Sequence, residues 1–239
     1  LVSYDSEVAR TIPPDRFRQL VDVATDTFIA RGYRMTQMAD VASALGVAKG
    51  TVYGYVESKE ALFDMALRFA DSHLAPSPDA LPWRTPAQGV TVAHLRERLA
   101  LESSELVLLQ ALDRPCSGGA AAELAEIARD LYRRMARNRR SLKLVDRCAL
   151  DHPELAAVWF GEGRWAQHGA LALYLERRIA EGALRPVTSV SIAARFVLET
   201  IAFWAVHRHW DPSPQPLVEE EVEATIVELV IHGLEKESS

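Results

Sequence analysis

The sequence has little that could staple a fold or ligate a metal. Only Cys116 and Cys148 occur in 239 residues, too few for a disulfide framework, so reduced thiols in a cytoplasmic protein are expected, with Cys148 a buried inert thiol. Cys-x-x-Cys, Glu-x-x-His and His-Glu-x-x-His are absent. His207 and His209 are two apart and on a helix point about 200° away from each other. No metal site, no cofactor and no enzyme chemistry is expected. Strand signals are scarce. Residues 187–192 form the single β-branched cluster, and Ser189 within it reads as a helix cap. Without a strand there is no strand–glycine loop–helix to cradle a nucleotide, and Gly161-Glu-Gly163 matches too little of that fingerprint to count.

Long apolar runs are missing too. The richest, residues 196–206, is broken by Glu199 and is well short of the ~20 residues that span a bilayer, so no membrane partner is expected. The opening residues lack the apolar core of a signal peptide, and a chain beginning at Leu1 reads as having a trimmed start. Nor is there a surplus of positive charge. Lys and Arg number 27 against 33 Asp and Glu, a net of -6, which excludes a protein that holds nucleic acid by bulk charge but leaves room for a local basic surface.

What the sequence does have is helical spacing. Phe17, Leu20, Val21, Ala24 and Phe28 recur at threes and fours, and Gly32 stands where a left-handed residue ends a helix. A second helix is expected behind a Thr36 cap as far as Leu45, a third over about 47–55, and a fourth behind the cap Ser58. Pro76, Pro78, Pro82 and Pro86 mark a linker or irregular loop. Longer helices are expected at about 91–112, 119–150 with a break near Asn138, 153–182, 189–210 and 216–236. The fold class expected is all-α: a disordered tail over 1–12, a helical unit over 13–58 and a second helical domain over 59–239. That second domain opens with a connecting helix at 59–74 and a Pro-rich loop at 75–90.

The segment 36–55 has helix-turn-helix spacing. Ala42 is small where two helices cross, Gly46 supplies a positive-φ turn four residues on, and Val52 plugs back six residues later, beside Val41, Leu45 and Val47. If Ala48 and Val52 point inward, Lys49 and Tyr53 point outward, with Gly50 allowing close backbone approach and Thr51 beside it. A solvated face more often carries Glu–Lys pairs. This one suits phosphates and base edges. Between Arg31 and Lys59 four basic residues face two acidic ones, so this stretch carries +2 while the whole chain carries -6. Helix N-termini near Thr36, Ala48 and Lys59 add partial positive charge.

Residues 31–63, RGYRMTQMADVASALGVAKGTVYGYVESKEALF, resemble the DNA-binding domain of the TetR family of transcriptional regulators, above all in Lys-Gly-Thr-x-Tyr at 49–53 and Ser-Lys-Glu-x-Leu at 58–62. The resemblance implies a helix-turn-helix DNA-binding domain ahead of a helical effector-binding and dimerisation domain. It also implies a cytoplasmic homodimer on a pseudo-palindromic double-stranded operator, a repressor released by an unknown small-molecule effector. By the same resemblance, Thr36 and Lys59 contact phosphates, Tyr55 is a further backbone contact or else core packing, Gln37 is a phosphate neighbour or merely solvated, and Lys49, Gly50, Thr51 and Tyr53 face the groove. Departures are Ala48 where the family usually has a capping Ser or Thr, Val56 where it has Phe, and the interior Gly54. The rival reading is an all-α ligand-binding or interaction protein whose hairpin no longer engages DNA.

Farther along, Glu-Gly-Ala-Leu-Arg-Pro at 181–186 resembles the connection before the family's dimerising helices. The last two helices would then pair with their copies as a four-helix bundle. Ala193, Val197, Ile201, Val218, Val222, Ile226, Leu229 and Gly233 are the expected dimer contacts. Trp159, Phe160, Trp165, His168, Tyr174, Phe203, Trp204 and His207 are the candidates to line an effector pocket, which should be apolar with a few directed polar groups.

Overall fold

The structure, a computed structural model, describes residues 14–72, 80–114 and 119–236. The expected tail at 1–12 lies outside them, as does part of the Pro-rich loop. The helices are α1 (Pro14–Met35), α2 (Met38–Leu45), α3 (Lys49–Tyr53), α4 (Lys59–Phe69), α5 (Val90–Ser104), α6 (Val107–Leu112), α7 (Ala120–Arg137) and α8 (Arg139–Cys148). They continue as α9 (Pro153–Ala156), α10 (Trp165–Ala180), α11 (Val190–Ala205) and α12 (Glu219–Leu234). A π-helical stretch, Ala157–Arg164, joins α9 to α10. Among the described residues there is no strand, only two isolated bridges, and no helix is long and apolar enough to cross a membrane.

Local chemistry sets the ends. The apolar stripe of α1 is buried throughout. Gly32 then takes φ 80°, ψ 170°, a conformation that side chains avoid and that favours glycine, and the Arg147 guanidinium packs over it, 2.6 Å from where a Cβ would stand. The Ser58 hydroxyl caps α4 by accepting from the Ala61 amide at 3.0 Å, and Ser189 caps α11. The expected helix at 91–112 divides at Glu105–Leu106, and the one at 119–150 divides at Asn138.

Two apolar cores result. The first gathers α1–α4 with Val92 and Leu95 of α5 and with Leu144, Val145 and Cys148 of α8. The core around the N-terminal helices thus takes in a helix far beyond residue 58, where the sequence places the boundary. The second core joins α6, α7, α10, α11 and α12. At its centre Arg178, fully buried, pairs with Glu123 at 2.7 Å and Glu181 at 2.9 Å and donates to the Ala111 and Arg114 carbonyls. The Tyr174 hydroxyl also donates to Glu123, at 3.1 Å. All three guanidinium nitrogens therefore donate to an acceptor, the condition under which a buried ion pair is tolerated.

The expected dimer stripes need correction. Val197, Ile201, Val222 and Ile226 are buried within this chain's own second core, and Ala193 is half-buried against it. Val218, Leu229 and Gly233 are exposed. On α11 the outward apolar residues are instead Ile192 at 71% and Phe196 at 69% exposure, with Phe203 farther along. Both faces of α11 are apolar, so periodicity alone does not separate its core face from its outward one.

Candidate nucleic-acid interface and effector cavity

The turn between α2 and α3 follows from Gly46. At φ 70° it lets the Val47 amide reach the Ala42 carbonyl at 3.0 Å and its own amide reach Ser43 at 3.1 Å, the paired bonds that close a helix C-terminus. α3 is only 5 residues long and is anchored by fully buried Val52. Lys49, Gly50 and Thr51 are exposed, Tyr53 is 42% exposed, and the Lys49 ammonium stands 5.9 Å from the Tyr53 ring centre. The groove-facing set is therefore together on the outside. Ala48, expected inward, is exposed and begins α3 with no side-chain cap.

The expected phosphate contacts divide. Gln37 is exposed and is itself the residue before α2, its amide donating to the Asp40 carboxylate at 2.9 Å. Thr36 is only 1% exposed and donates to the Gly32 carbonyl at 2.7 Å, so its hydroxyl neither caps α2 nor faces outward. Lys59 donates to the Tyr33 carbonyl at 3.1 Å and sits 4.7 Å over the Tyr33 ring. Both side chains satisfy the end of α1, whose last carbonyls lack intrahelical partners. Tyr55 is half-buried against the first core. Of the four basic residues counted in the sequence, Arg31 pairs with Asp40 at 3.1 Å. Arg34, exposed at the end of α1, joins Lys49 as a surface cation whose side chain has no carboxylate partner among the described residues. Its basic charge in a turn was the available signal.

Sequence reasoning also missed a strap. Beyond residue 79 the chain folds back, and Trp83 exchanges backbone hydrogen bonds with Tyr55 (2.7 Å) and Glu57 (3.0 Å). Arg84 pairs with Glu57. Buried Asp64 of α4 receives the Trp83 indole N–H at 2.9 Å, Arg68 at 2.7 Å and Thr91 at 2.8 Å. Burial alone would raise that carboxyl, but the three donors outweigh it and hold it below the ordinary aspartate value. The segment after α3 is thereby fastened at both ends.

Between the two cores lies a cavity of about 140 Å³, walled by α5, α7, α8, the π-helical stretch and α11, with Leu67 of α4 at one side. Of the expected lining residues, Trp159, His168 and His207 are there. Phe160 packs on the first core, Trp165 is 61% exposed, Tyr174 is buried on Glu123, and Phe203 and Trp204 lie on another surface of α11. Most of the wall was not foreseen: Leu95, Leu99, Leu131, Met135, Leu142 and Leu198, with arginine–carboxylate pairs between them. His207 accepts from Lys143 at 3.4 Å, and burial, then Lys143, lowers its pKa, so the ring is neutral at pH 7. Cys148 is buried beside α1, and burial pushes its thiol up to about 12, which makes it unreactive at neutral pH.

α8 links the cavity to α1. Ser141, Leu142, Val145 and Asp146 face the cavity. From the same helix, Arg147 donates to the Arg31 carbonyl at 2.9 Å and Arg140 pairs with Asp26 at 3.1 Å, both on α1. The α8 N-terminus is held by Asp71 just beyond α4, which accepts from the Arg140 amide at 3.0 Å, the Ser141 amide at 2.8 Å and the Ser141 hydroxyl at 2.6 Å.

Comparison with known proteins agrees with this layout. The family model described as "Bacterial regulatory proteins, tetR family" matches residues 20–66. The chain is 25% identical to the HTH-type transcriptional repressor KstR2 of Rhodococcus jostii over 220 residues, covering 92% of this chain and 91% of that protein. Among solved structures, the ketosteroid transcriptional regulator KstR2 of Mycobacterium tuberculosis superposes with a TM-score of 0.59 at 19% identity, over 97% of this chain and 100% of that one. AibR, in complex with isovaleryl coenzyme A and operator DNA, does so at 0.50 and 17% identity, over 90% and 98%. The helix-turn-helix at α2–α3 lies within the matched stretch, so residues 20–66 form a domain similar to that of the tetR family of bacterial regulatory proteins, and the chain resembles transcriptional repressors over most of its length.

Proposed function

We propose that this regulator is a homodimeric repressor whose hold on operator DNA is released when a small molecule fills the cavity beside α8. The observation that carries the DNA-binding half is the outward set Lys49, Gly50, Thr51 and Tyr53 on a helix pinned by buried Val52. Lys49 and Arg34 meet phosphates, and Thr51 and Tyr53 reach base edges in the major groove. One five-residue helix reads too few base pairs for useful specificity, so two copies are needed. The exposed apolar residues Ile192, Phe196 and Phe203 of α11, with Leu229 of α12, supply a surface that a second copy would cover.

The switch follows from α8. A molecule between Leu95 and Val145 changes the cavity on which α8 and Leu67 of α4 rest; α8 carries Arg147 and Arg140 to α1, and Asp71 just beyond α4 holds the N-terminus of α8. The ligand acts only through different affinity for the two arrangements, and operator affinity changes by the same factor. AibR, with both an acyl thioester and operator DNA in one complex, supports a fold that accommodates both kinds of partner. Anisotropy of labelled DNA from upstream of the gene, read over a salt series, tests the proposal. Steep loss of binding with added salt is expected. No binding at low salt would instead mean a helical ligand-binding protein that has left DNA behind.

A further inference from the structure

The cavity lining carries seven charged side chains, and their pairing is uneven. Glu102 is held by Arg134 at 3.1 Å and by Arg137 at 3.3 Å. Asp146 faces Arg164 at 3.5 Å, and Glu199 is shared by Arg164 at 2.5 Å and Arg195 at 2.8 Å. Arg98 is the lining cation left without a carboxylate among the described residues. Its Nη2 donates to the Asn138 side-chain oxygen at 2.9 Å, while no acceptor among the described residues meets its Nε or Nη1. A half-buried guanidinium with donors free is a ready fork for a carboxylate. Beside it on the same face of α5 stand Leu95 and Leu99, and across from them Leu131, Met135 and Val145, so an anionic head on Arg98 would place its body among apolar side chains.

Size narrows the ligand further. The 140 Å³ is close to the engineered apolar cavity of about 150 Å³ that admits benzene. We infer that the effector is a monocarboxylate with a single-ring or short branched apolar body, its carboxylate seated on Arg98. The assignment rests on the cavity being the effector site. A second negative charge on the ligand would approach Glu102, which Asn138 also holds at 3.3 Å. A neutral molecule would leave Arg98 without a counter-charge. Asn138 occupies the break between α7 and α8, so a carboxylate that draws Arg98 inward pulls at the hinge of the helix that contacts α1.

The test titrates benzoate, phenylacetate, cyclohexanecarboxylate and isovalerate, each beside its neutral amide, into full-length protein, read by calorimetry and the fluorescence of Trp159. At least one acid should bind ten-fold or more tightly than its amide. Arg98→Met should abolish that preference, bringing acid and amide to similar affinity, and Arg98→Lys should restore part of it. Acid and amide binding alike, an acid preference that survives Arg98→Met, or no binding by any acid would overturn the assignment. Operator release by an amide or by isovaleryl coenzyme A, with none by the acids, would also overturn it while leaving the cavity as the effector site. Occupancy of the cavity that never changes operator affinity would instead remove the switch on which the inference rests.

Discussion

α3 and α11 are opposite cases of how a helix is specified. α3 has 5 residues and one buried anchor, Val52, and nearly everything about it follows from single steric demands: a positive φ at Gly46, a plug at Val52, free space over Gly50. α11 has 16 residues and is apolar on both sides, so its helical state is obvious and its orientation is not. Val197 and Ile201 face the intrachain core, whereas Ile192 and Phe196 face out. A short element under hard geometric constraint is easier to orient than a long one with redundant apolar faces.

That contrast can be broken experimentally, most forcefully in the bundle that orients α11. Arg178→Met leaves Glu123 buried without its cation and should cost about 3–5 kcal/mol in urea unfolding. A loss under about 1 kcal/mol would mean that the buried network does not fix the second core. On α11, Val197→Ala should lower stability by roughly 0.5–3 kcal/mol and leave the oligomer intact. Phe196→Glu should change stability by no more than about 0.5 kcal/mol while shifting the sedimentation of the protein from dimer toward monomer. The reverse pattern would exchange the two faces. On α3, Tyr53→Ala should cost about 1–3 kcal/mol on operator DNA and relax base preference, whereas Lys49→Ala should weaken all sequences alike and lower the salt slope by about 1.

Smaller effects separate the strap from the turn. The folded chain holds the Asp64 carboxyl below its ordinary value near 3.8. Its contribution is therefore complete above that value and is lost as pH falls through the lower folded value. Urea midpoints from pH 7 down to pH 3 should show this acid-dependent loss in the wild type and not in Asp64→Asn. Smallest of all, Ala48→Ser should supply the missing cap of α3 and add roughly 0.5–1 kcal/mol.

How far the sequence was legible follows the same division. The helix-turn-helix and its outward face could be read because each requirement sits on one residue. Thr36 and Lys59 could not, because their partners are the terminal carbonyls of α1 at Gly32, Tyr33 and Arg34, groups that no side-chain pattern reveals. The strap was hidden because its anchor, the Trp83 indole on Asp64, joins residues 19 apart across a Pro-rich stretch. The cavity was hidden for a third reason. Aromatic residues suggested themselves as ligand contacts, but Tyr174 and Phe160 are spent on packing, and the wall is leucine and paired charge drawn from helices far apart in the chain.

The central claim is that α3 lies against a duplex groove twice per assembly. Footprinting of the protein on DNA upstream of its own gene tests it most directly. Two protected half-sites related by a pseudo-two-fold and centred one or more helical turns apart, ~34–36 Å per turn, are predicted, both lost together in Phe196→Glu. A single protected site, or protection that survives in a monomer, would contradict the account.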